Sequence, residues 1–415
     1  MSPPASPAVH PRAAFQSRDF RYFISARFLA WSSHQMMNVA LGQWIYEWTR
    51  DPIYLGYLGL ALFVPKIAFT IFAGHVADRF DRRRVILICR IFQFLAVVGL
   101  ALVAGLDVKS LVGIYALVFL TGTANAFDGP SSQAIVPQLV PADHFSNAVK
   151  WNSSIFQLGF IAGPMLAGWL YAWFGRVEEV LFVVAGMRLA SCVLVAAMRY
   201  RSVIIEKSVM NWNTLMAGLR FIVEKRVILG TISLDLFAVL LGGAVALLPV
   251  YANDILGVGA EGLGILRAAP AVGAGLTAVA LAYLPPMKRA GSTMLVCVGL
   301  FGVFIILFGI STNFYFSIFC LFLLGAADMI SVVIRGVLVQ LKTPNEMRGR
   351  VSAVNLIFIG ASNELGEFES GLTAAWFGTV PAVVIGGAGT LAVVLIWTRL
   401  FPEIRQFKRL EEPMI

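Results

Sequence analysis

The stretch Gly74–Arg84 reads GHVADRFDRRR and separates two long apolar runs, near residues 53–76 and 84–105. Each run is long enough to cross the hydrocarbon core of a bilayer, which takes about 20 apolar residues in an α-helix. A chain in lipid must satisfy its own backbone hydrogen bonds, so runs of this length are expected to be helices. The stretch therefore predicts a short charged loop between two membrane-spanning helices.

The same pattern continues over the whole chain of 415 residues. Hydrophobic residues make up 59% and charged residues 13% of it, and the mean hydropathy is +0.80. A water-soluble domain has about a quarter of its residues charged. The sequence thus predicts an all-α polytopic membrane protein with about twelve spans, near residues 22–48, 53–76, 84–105, 109–132, 147–173, 179–199, 228–252, 259–283, 292–311, 314–340, 352–375 and 378–400.

The net charge of +9 is explained by where the basic residues lie. Most of the 32 Lys and Arg residues flank the spans on one side, and we assign only Arg50, Lys109, Arg176 and Arg267 to the other. By the positive-inside rule, both termini are expected to be cytoplasmic. The excess of basic residues therefore indicates membrane topology and lipid contact, and we expect no nucleic-acid partner.

Neither the N-terminus nor the cysteines indicate processing or a bound metal. The start, MSPPASPAVHPRAAF, has no apolar core of the kind a signal peptide needs, so we expect a cytoplasmic tail. The four cysteines fall within predicted spans and lack CxxC or metal-ligand spacing. We predict no cofactor and no metal site.

An internal repeat divides the chain into two halves. Pro344 follows Pro141 by 203 residues, and the same offset matches Gly122 with Gly325, Asn125 with Asp328, Gly163 with Gly366, Gly168 with Gly371, and Trp173-Phe174-Gly175 with Trp376-Phe377-Gly378. Such repeats are typical of transporters. The predicted division is an N-terminal tail (1–19), a six-helix bundle (20–199), a cytoplasmic linker (200–227), a second six-helix bundle (228–400) and a C-terminal tail (401–415).

The linker between the halves allows two interpretations. Its residues Trp212, Leu215, Leu219 and Ile222 recur near helical spacing, which favours an amphipathic helix at the membrane surface. Arg220 and Lys225 would lie on its wetter side. The alternative is a plain linker.

The charged stretch resembles the signature loop of the major facilitator superfamily. Gly74, Asp78, Arg79, Arg82, Arg83 and Arg84 match the family pattern, whereas Asp81 stands where the family usually has Gly. The resemblance implies two pseudo-symmetric bundles of six helices that transport a small molecule by alternating access. It also implies that Asp78 clamps the cytoplasmic side, and the loop TPNEMRGRV offers Arg348 and Arg350 as partners.

That second loop also resembles the branch of bacterial drug and siderophore exporters. The resemblance implies a multi-pass protein of the bacterial inner membrane, and we expect a monomer. The fifth span carries Gly159, Gly163, Pro164 and Gly168, which resemble the antiporter motif of proton-coupled exporters. Lys150 and Ala167 depart from that motif. Close helix packing through small residues is the alternative interpretation.

Polar groups inside the spans are the candidates for the transport site, because they are costly in lipid and usually face a cavity or a partner. The resemblance implies that spans 1, 4, 7 and 10 line the cavity. The predicted cavity residues are His34, Gln35, Asn38, Gln43, Asn125, Asp235, Asp328 and Arg335. We expect a hydrogen-bonded His34, a contact between Asp328 and Arg335, either direct or through a third group, and a solvated position for Asp128.

The eleventh span carries three carboxylates in ASNELGEFESG, residues 361–371. At 100° per residue, Glu364 and Glu367 share one helix face, whereas Glu369 points elsewhere. Two carboxylates one turn apart in a low-dielectric site cannot both ionise cheaply, so one is expected to hold a proton. Glu364 and Glu367 are therefore the predicted proton carriers, with Asp235 and Asp328 next. A structural role remains open for each glutamate.

The prediction is a transporter and not an enzyme, because no nucleotide-binding loop or catalytic triad is present. It is a proton-coupled exporter of a small amphipathic or cationic molecule. The alternatives are a metal-ion or siderophore transporter, in which acids and His34 would hold a cation, and a lysophospholipid flippase. A channel or membrane receptor is the alternative from another class.

Overall fold

A computed structural model describes residues 13–200, 212–284 and 289–406, and these ranges are almost entirely helical. Six long helices form the N-terminal half. They are α1 (Arg18–Thr49), α2 (Ile53–Arg79), α3 (Arg82–Gly105), α4 (Leu111–Leu139), α5 (Phe145–Phe174) and α6 (Val177–Ala197).

Six more long helices form the C-terminal half. They are α7 (Arg226–Ile255, with a break near Gly242), α8 (Gly259–Tyr283), α9 (Ala290–Gly309), α10 (Phe314–Lys342), α11 (Asn345–Phe377) and α12 (Thr379–Leu400). A linker helix, Trp212–Glu224, precedes α7, and a short helix, Pro402–Gln406, follows α12. The predicted fold of twelve helices in two bundles is confirmed.

Ten of the twelve helices are long and apolar enough to span a membrane by composition alone, and the exceptions are α1 and α11. Both are among the longest helices, with 32 and 33 residues, so polarity and not length sets them apart. These two helices carry the predicted residues His34 to Gln43 and the three glutamates. Polar helices inside an apolar bundle are expected to line the transport path.

The charged loop after α2 is held by local hydrogen bonds. Asp81 is the N-cap of α3, and its carboxylate accepts a hydrogen bond of 3.0 Å from the Arg84 backbone N–H. An aspartate at this position also interacts favourably with the positive end of the helix. The departure from the family's Gly therefore serves as a helix cap.

Glycines that the repeat matches pack in equivalent places in the two halves. A Cβ at Gly163 would lie 2.7 Å from Ser32 O on α1, and one at Gly366 would lie 2.9 Å from Val239 O on α7. Each of these glycines thus fits its helix against the first helix of its own half. The matched glycines Gly175 and Gly378 end α5 and α11 with positive φ angles of 67° and 89°.

A second matched pair of glycines joins the two halves. A Cβ at Gly168 would lie 2.8 Å from the Cα of Gly264 on α8, and one at Gly371 would lie 2.8 Å from the Cα of Gly56 on α2. These contacts lie near the ends of the helices opposite to the chain termini, which we call the far face. The opposite side is the terminal face. The halves are therefore in close contact at the far face.

The linker helix packs against protein. Ile222 is fully buried in a cluster with Ile228, Val339 and Val351, and a Cβ at Gly218 would lie 2.8 Å from Arg350 O on α11. A helix is thus confirmed, and the described part of its apolar face, Leu219 and Ile222, packs on the C-terminal half. The side chains of Trp212 and Leu215 lie outside the described residues.

Candidate functional site

The two adjacent glutamates of α11 pair with basic residues from different halves. Glu364 Oε1 lies 2.8 Å from Lys66 Nζ on α2, and Glu367 Oε1 lies 3.4 Å from Arg267 Nη2 on α8. The second carboxylate oxygen of Glu364 is buried without a hydrogen-bond partner among the described residues. Glu364 and Glu367 lie one turn apart on the same face of α11. From this face, α11 contacts α2 of the N-terminal half and α8 of the C-terminal half.

Glu367 and Arg267 line a small pocket between the halves. Its wall is mostly apolar, and the lining residues come from α1, α2, α7, α8 and α11: Asn38, Gly42, Leu55, Leu58, Leu62, Ala246, Pro249, Arg267 and Glu367. The Oδ1 atom of Asn38 is buried and makes no hydrogen bond within the described chain. The cavity measures about 20 Å³, room for about one water molecule, so this closed form has a lining of small-molecule character but no formed binding site.

Arg267 lies deeper than the sequence suggested. The sequence places it on the loop side, but in the structure it is the ninth residue of α8 and lies about 12 Å along the helix from its start. Its side chain is 14% exposed, and Glu367 and the carbonyl of Val245 accept its hydrogen bonds. A basic residue near a span end was mistaken for a topology signal.

Asp235 and Arg335 form a buried ion pair in the C-terminal half. They join α7 to α10, and their side chains are 9% and 5% exposed. Arg335 was expected to contact Asp328, two turns away on its own helix, yet its ion pair is with Asp235 on the neighbouring helix. Asp328 is half-buried and makes no hydrogen bond or ion pair with the residues that the structure describes.

On α1, the predicted cavity residues have different surroundings. Gln35 is buried where α5 packs, and its Cβ would be 2.7 Å from a Cβ at Gly163. His34 is half-buried, and its Nδ1 makes no hydrogen bond within the described ranges. The expected hydrogen-bonded role of His34 is therefore not seen for that nitrogen.

Gln43 belongs to a network that closes the far face. It exchanges hydrogen bonds of 2.9 Å with Asn253 on α7, and its amide also donates to Glu47. Tyr171 on α5 donates a hydrogen bond of 2.5 Å to the other oxygen of Glu47. A residue predicted to face substrate thus holds α1 against α7.

The next turn of α1 reinforces this closure. Asp254 on α7 accepts hydrogen bonds from the Tyr46 hydroxyl and, at 2.9 Å, from Arg50 Nη1. Together, Gln43, Tyr46, Glu47, Arg50, Tyr171, Asn253 and Asp254 form what we call the far-face latch.

The N-terminal half contains a buried charged layer. Arg27, Arg90 and Arg188 are each at most 8% exposed. Asp128, expected to be solvated, is instead within 3.7 Å of Arg90, and its side chain is 17% exposed. Arg188 donates to Gln93, whose amide donates at 2.7 Å to Asn125, so this predicted cavity residue is tied to the layer.

The basic residues of the signature loop hold helix ends in the N-terminal half. Arg82 donates to the carbonyls of Ala77 and Ala134, at 3.2 and 3.3 Å. Arg83 donates to the last carbonyls of α6, and such contacts favour the negative helix end. Gly74 and Arg79 are part of α2, and the side chain of Asp78 lies outside the described residues.

The proposed partners of Asp78 have contacts in their own half. Arg348 Nε donates at 3.3 and 3.2 Å to the carbonyls of Gln340 and Thr343 at the end of α10, and Arg350 contacts the Met347 sulfur. Both side chains reach the terminal face, where the signature loop lies. Their pairing with Asp78 stays a prediction.

The glycines of the antiporter-like motif are packing sites. Gly159 and Gly163 fit α5 against Trp31 and Ser32 of α1, and Gly168 fits α5 against α8. Pro164 lies inside α5. Close helix packing, the second interpretation of this motif, describes all three glycine contacts.

Sequence reasoning did not find the basic partners. Lys66, Arg90 and Arg188 lie inside apolar runs of the sequence, where nothing local indicates a partner for them. Their position in lipid was itself a signal, because an ionisable group there requires a partner or a cavity. Among the described residues, no group of three or more His, Cys, Asp or Glu side chains could hold a metal ion.

Comparisons with known proteins agree with this architecture. The family model described as transmembrane secretion effector, of the major facilitator superfamily, matches residues 10–412. The enterobactin exporter EntS of Citrobacter koseri is 28% identical over 397 residues, covering 94% of this chain and 93% of that protein. EntS of Salmonella typhi is 27% identical over 395 residues, covering 94% of both chains.

Solved structures show the same fold at low sequence identity. The nucleoside transporter NupG has a TM-score of 0.75 and 14% identity, covering 92% of this chain and 99% of NupG. A bacterial homologue of the human lysosomal transporter Spinster, inward-facing and occupied, has a TM-score of 0.73 and 14% identity, covering 94% and 98%. The chain belongs to the transmembrane secretion effector family of the major facilitator superfamily, whose members are multi-pass membrane transporters and not enzymes.

Proposed function

We propose that this protein is a proton-coupled exporter that exchanges protons for a small amphipathic molecule by alternating access. The observation that carries the proposal is the pair of carboxylates on α11. Glu364 binds Lys66 across the two halves, and Glu367 lines the pocket between them. A proton taken up here can change both the contact between halves and the charge of the pocket.

Protonation of Glu364 supplies the coupling step. A neutral Glu364 loses the charge that attracts Lys66, so the contact between α2 and α11 weakens. A Cβ at Gly59 of α2 would lie 3.0 Å from the Glu367 Cβ, so the two helices are close at the level of the pocket. When α2 and α11 separate at this depth, the two halves can move apart at the far face. We take the halves as residues 20–199 and 228–400.

Glu367 is the proton carrier that we favour at the pocket itself. Its side chain is 29% exposed, and its distance of 3.4 Å from Arg267 is longer than the 2.8 Å of the Lys66 pair. A carboxylate that is partly exposed and has a longer ion pair can release its proton to one side of the membrane and take one up from the other. Asp328 is the second candidate, because Asp235 is already paired with Arg335.

Relatives named as exporters support the outward direction of transport. We place the protein in the bacterial inner membrane with both termini in the cytoplasm, as the positive-inside rule indicates. In this orientation, the far-face latch closes the periplasmic side. Asp78 then closes the cytoplasmic side in the opposite state through Arg348, Arg350 and the start of α11.

The lining of the pocket, and not its present volume of about 20 Å³, supports an amphipathic substrate, which enters only when the halves separate. Leu55, Leu58 and Leu62 provide apolar contact, and Asn38 and Arg267 provide polar contact. The argument for a cationic substrate is weaker than the sequence suggested, since Glu364, Glu367 and Asp235 all have basic partners. Siderophore export is a second candidate function, favoured by the names of the relatives. Lysophospholipid transport has no specific contact in its favour.

Inverted membrane vesicles test this function. With a proton gradient imposed and followed by a pH-sensitive dye, a transported substrate such as enterobactin is expected to release protons from the lumen. Glu367→Gln should abolish this release. Uptake of the same substrate that is independent of the gradient would contradict proton coupling, and no uptake of any tested amphipathic compound would contradict the substrate class.

A further inference from the structure

The buried layer of the N-terminal half has more positive than negative charge. Arg27, Arg90 and Arg188 come from α1, α3 and α6, and the carboxylate near them in the described structure is Asp128 on α4. All four residues lie about 12 to 17 Å along their helices from the terminal face. Within a membrane, buried charges are normally paired with one another.

Arg27 and Arg90 are held by backbone carbonyls, a serine hydroxyl and one carboxylate. Arg27 Nη1 donates at 3.2 Å to Ser132 O. Arg90 donates to Ser191 and, at 2.8 Å, to Ala26 O, and it lies 3.7 Å from Asp128. The Arg90 Nε atom has no partner in the described part of the chain. One carboxylate thus balances one of three positive charges.

Arg188 has an unused binding edge. Its Nη1 donates to Gln93, whereas its Nε and Nη2 are buried and lack hydrogen-bond partners among the described residues. These two atoms form one edge of the planar guanidinium, and this edge binds a carboxylate or phosphate through two parallel hydrogen bonds. The residue is 2% exposed, so bulk water does not satisfy this edge.

The C-terminal half shows what a balanced layer looks like. At a similar distance from the terminal face, Asp235 pairs with Arg335, and this pair is neutral. By the repeat, Asn125 occupies the position of Asp328, so the N-terminal half lacks a carboxylate where the other half has one. The excess positive charge is therefore specific to the N-terminal half.

We propose that the free edge of Arg188 on α6, with Arg90 on the neighbouring helix α3, binds an anionic group. That group is a carboxylate-type acid of the substrate or a small inorganic anion, which share the chemistry that this edge recognises. Gln93 connects Arg188 to Asn125 on α4, so a single side chain separates the edge from a helix implied to line the cavity. The assignment of this site to the substrate rests on the proposed export function. The binding of an anion at Arg188 does not depend on that function.

Binding to the purified full-length protein tests the site. In low-salt buffer, unfolding temperature is followed against benzoate, its neutral analogue benzamide, and sodium chloride. We expect benzoate to stabilise the protein and benzamide to have no effect. Arg188→Gln should weaken benzoate binding at least tenfold, and Arg188→Lys should give an intermediate loss, because it keeps the charge but not the double hydrogen bond. Lys109→Gln, which removes an exposed charge on a loop, is the control and should bind like the wild type.

The comparison of ligands separates the two sources of the anion. Stabilisation by benzoate beyond that of chloride at equal concentration assigns the site to an acidic substrate. Equal stabilisation by both, lost in Arg188→Gln, assigns it to an inorganic anion. The proposal is overturned if neither anion stabilises the wild type, if benzamide matches benzoate, or if Arg188→Gln responds like the wild type. Should Arg188→Gln fail to fold, Arg188→Lys and the benzamide comparison give the same decision.

Discussion

Lys66 Nζ on α2 lies 2.8 Å from Glu364 Oε1 on α11, and this ion pair joins the two halves at mid-bundle. Lys66 lies about 20 Å along α2 from its far-face end, and Glu364 lies a similar distance from the far-face end of α11. The pair is therefore at the depth where the halves separate in the alternating-access cycle proposed above.

Breaking this pair should shift the protein toward opening at the far face. Lys66→Met or Glu364→Gln removes an interaction of about 1 kcal/mol, a value kept low because Lys66 is 41% exposed. That energy corresponds to roughly a fivefold change in the population of the open form. Distances between spin labels at Lys109 and Thr312, on far-face loops of the two halves, measure the shift.

The charge-exchanged double variant, Lys66→Glu with Glu364→Lys, is the matched test of the pairing. It should restore the wild-type distance distribution, because the attraction is restored in reverse. Arg226→Gln, which removes an exposed pair with Glu403 within one half, should leave the distribution unchanged. A double variant no different from the single variants would contradict a direct role of the pair.

The far-face latch should depend on Asp254. Asp254→Asn weakens the hydrogen bonds from Tyr46 and Arg50, so the far face should open more often and transport should slow while the protein stays folded. The spin-label pair at Lys109 and Thr312 again reports the opening. Glu261→Gln alters an exposed carboxylate on the same face and serves as the control. An unchanged distance in Asp254→Asn would exclude the latch.

Two glycines of α5, Gly163 and Gly168, should fail in different ways when enlarged. Gly163→Val places a side chain against α1 within one half, where its Cβ would be 2.7 Å from Ser32 O, so the folded protein should be destabilised. Gly168→Val affects the contact between α5 and α8, where its Cβ would be 2.6 Å from Ala260 O, so closure of the far face should fail while each half stays folded.

Thermal unfolding and far-face cysteine labelling separate these two effects. Gly186→Val is the control, because a Cβ there would meet no atom within 4 Å. We expect a lowered unfolding temperature for Gly163→Val and raised labelling for Gly168→Val. The same behaviour in both variants would show that the two sites do not differ in function.

Proton coupling should require Glu367 more than Glu369. Glu367→Gln keeps the size of the side chain but fixes the neutral form, so pH-driven transport should fail while downhill exchange continues. Glu369 accepts a hydrogen bond of 2.8 Å from Thr373 on its own helix, so Glu369→Gln should have a mild effect. A full pH-driven gradient in Glu367→Gln would make Asp328 the next candidate.

The orientation can be measured directly. Asn313 is an exposed residue on the far face, and Asp81 is on the terminal face. A cysteine at Asn313 should react with an impermeant reagent in intact cells, whereas one at Asp81 should react only after permeabilisation. The reverse pattern would place the termini outside the cytoplasm.

The sequence alone determined the helices, the repeat and the family. Long apolar runs can satisfy their backbone in lipid only as helices, so twelve spans could be counted without a structure. The offset of 203 residues predicted equivalent packing, and Gly163 and Gly366 do pack on equivalent helices. The sequence also identified Glu364 and Glu367 as carboxylates inside a span, where an ionised group is energetically costly without a partner.

Only the tertiary structure decided the partners of those charges. Lys66 and Glu364 are 298 residues apart in the chain, and Arg335 pairs with Asp235 rather than with Asp328 on its own helix. Helical periodicity specifies which way a side chain points on one helix, but the neighbouring helix and its register are set by packing of the whole bundle. The glutamates of α11 were therefore predicted as a mutually repelling pair, whereas the fold gives each of them a basic partner from a different helix.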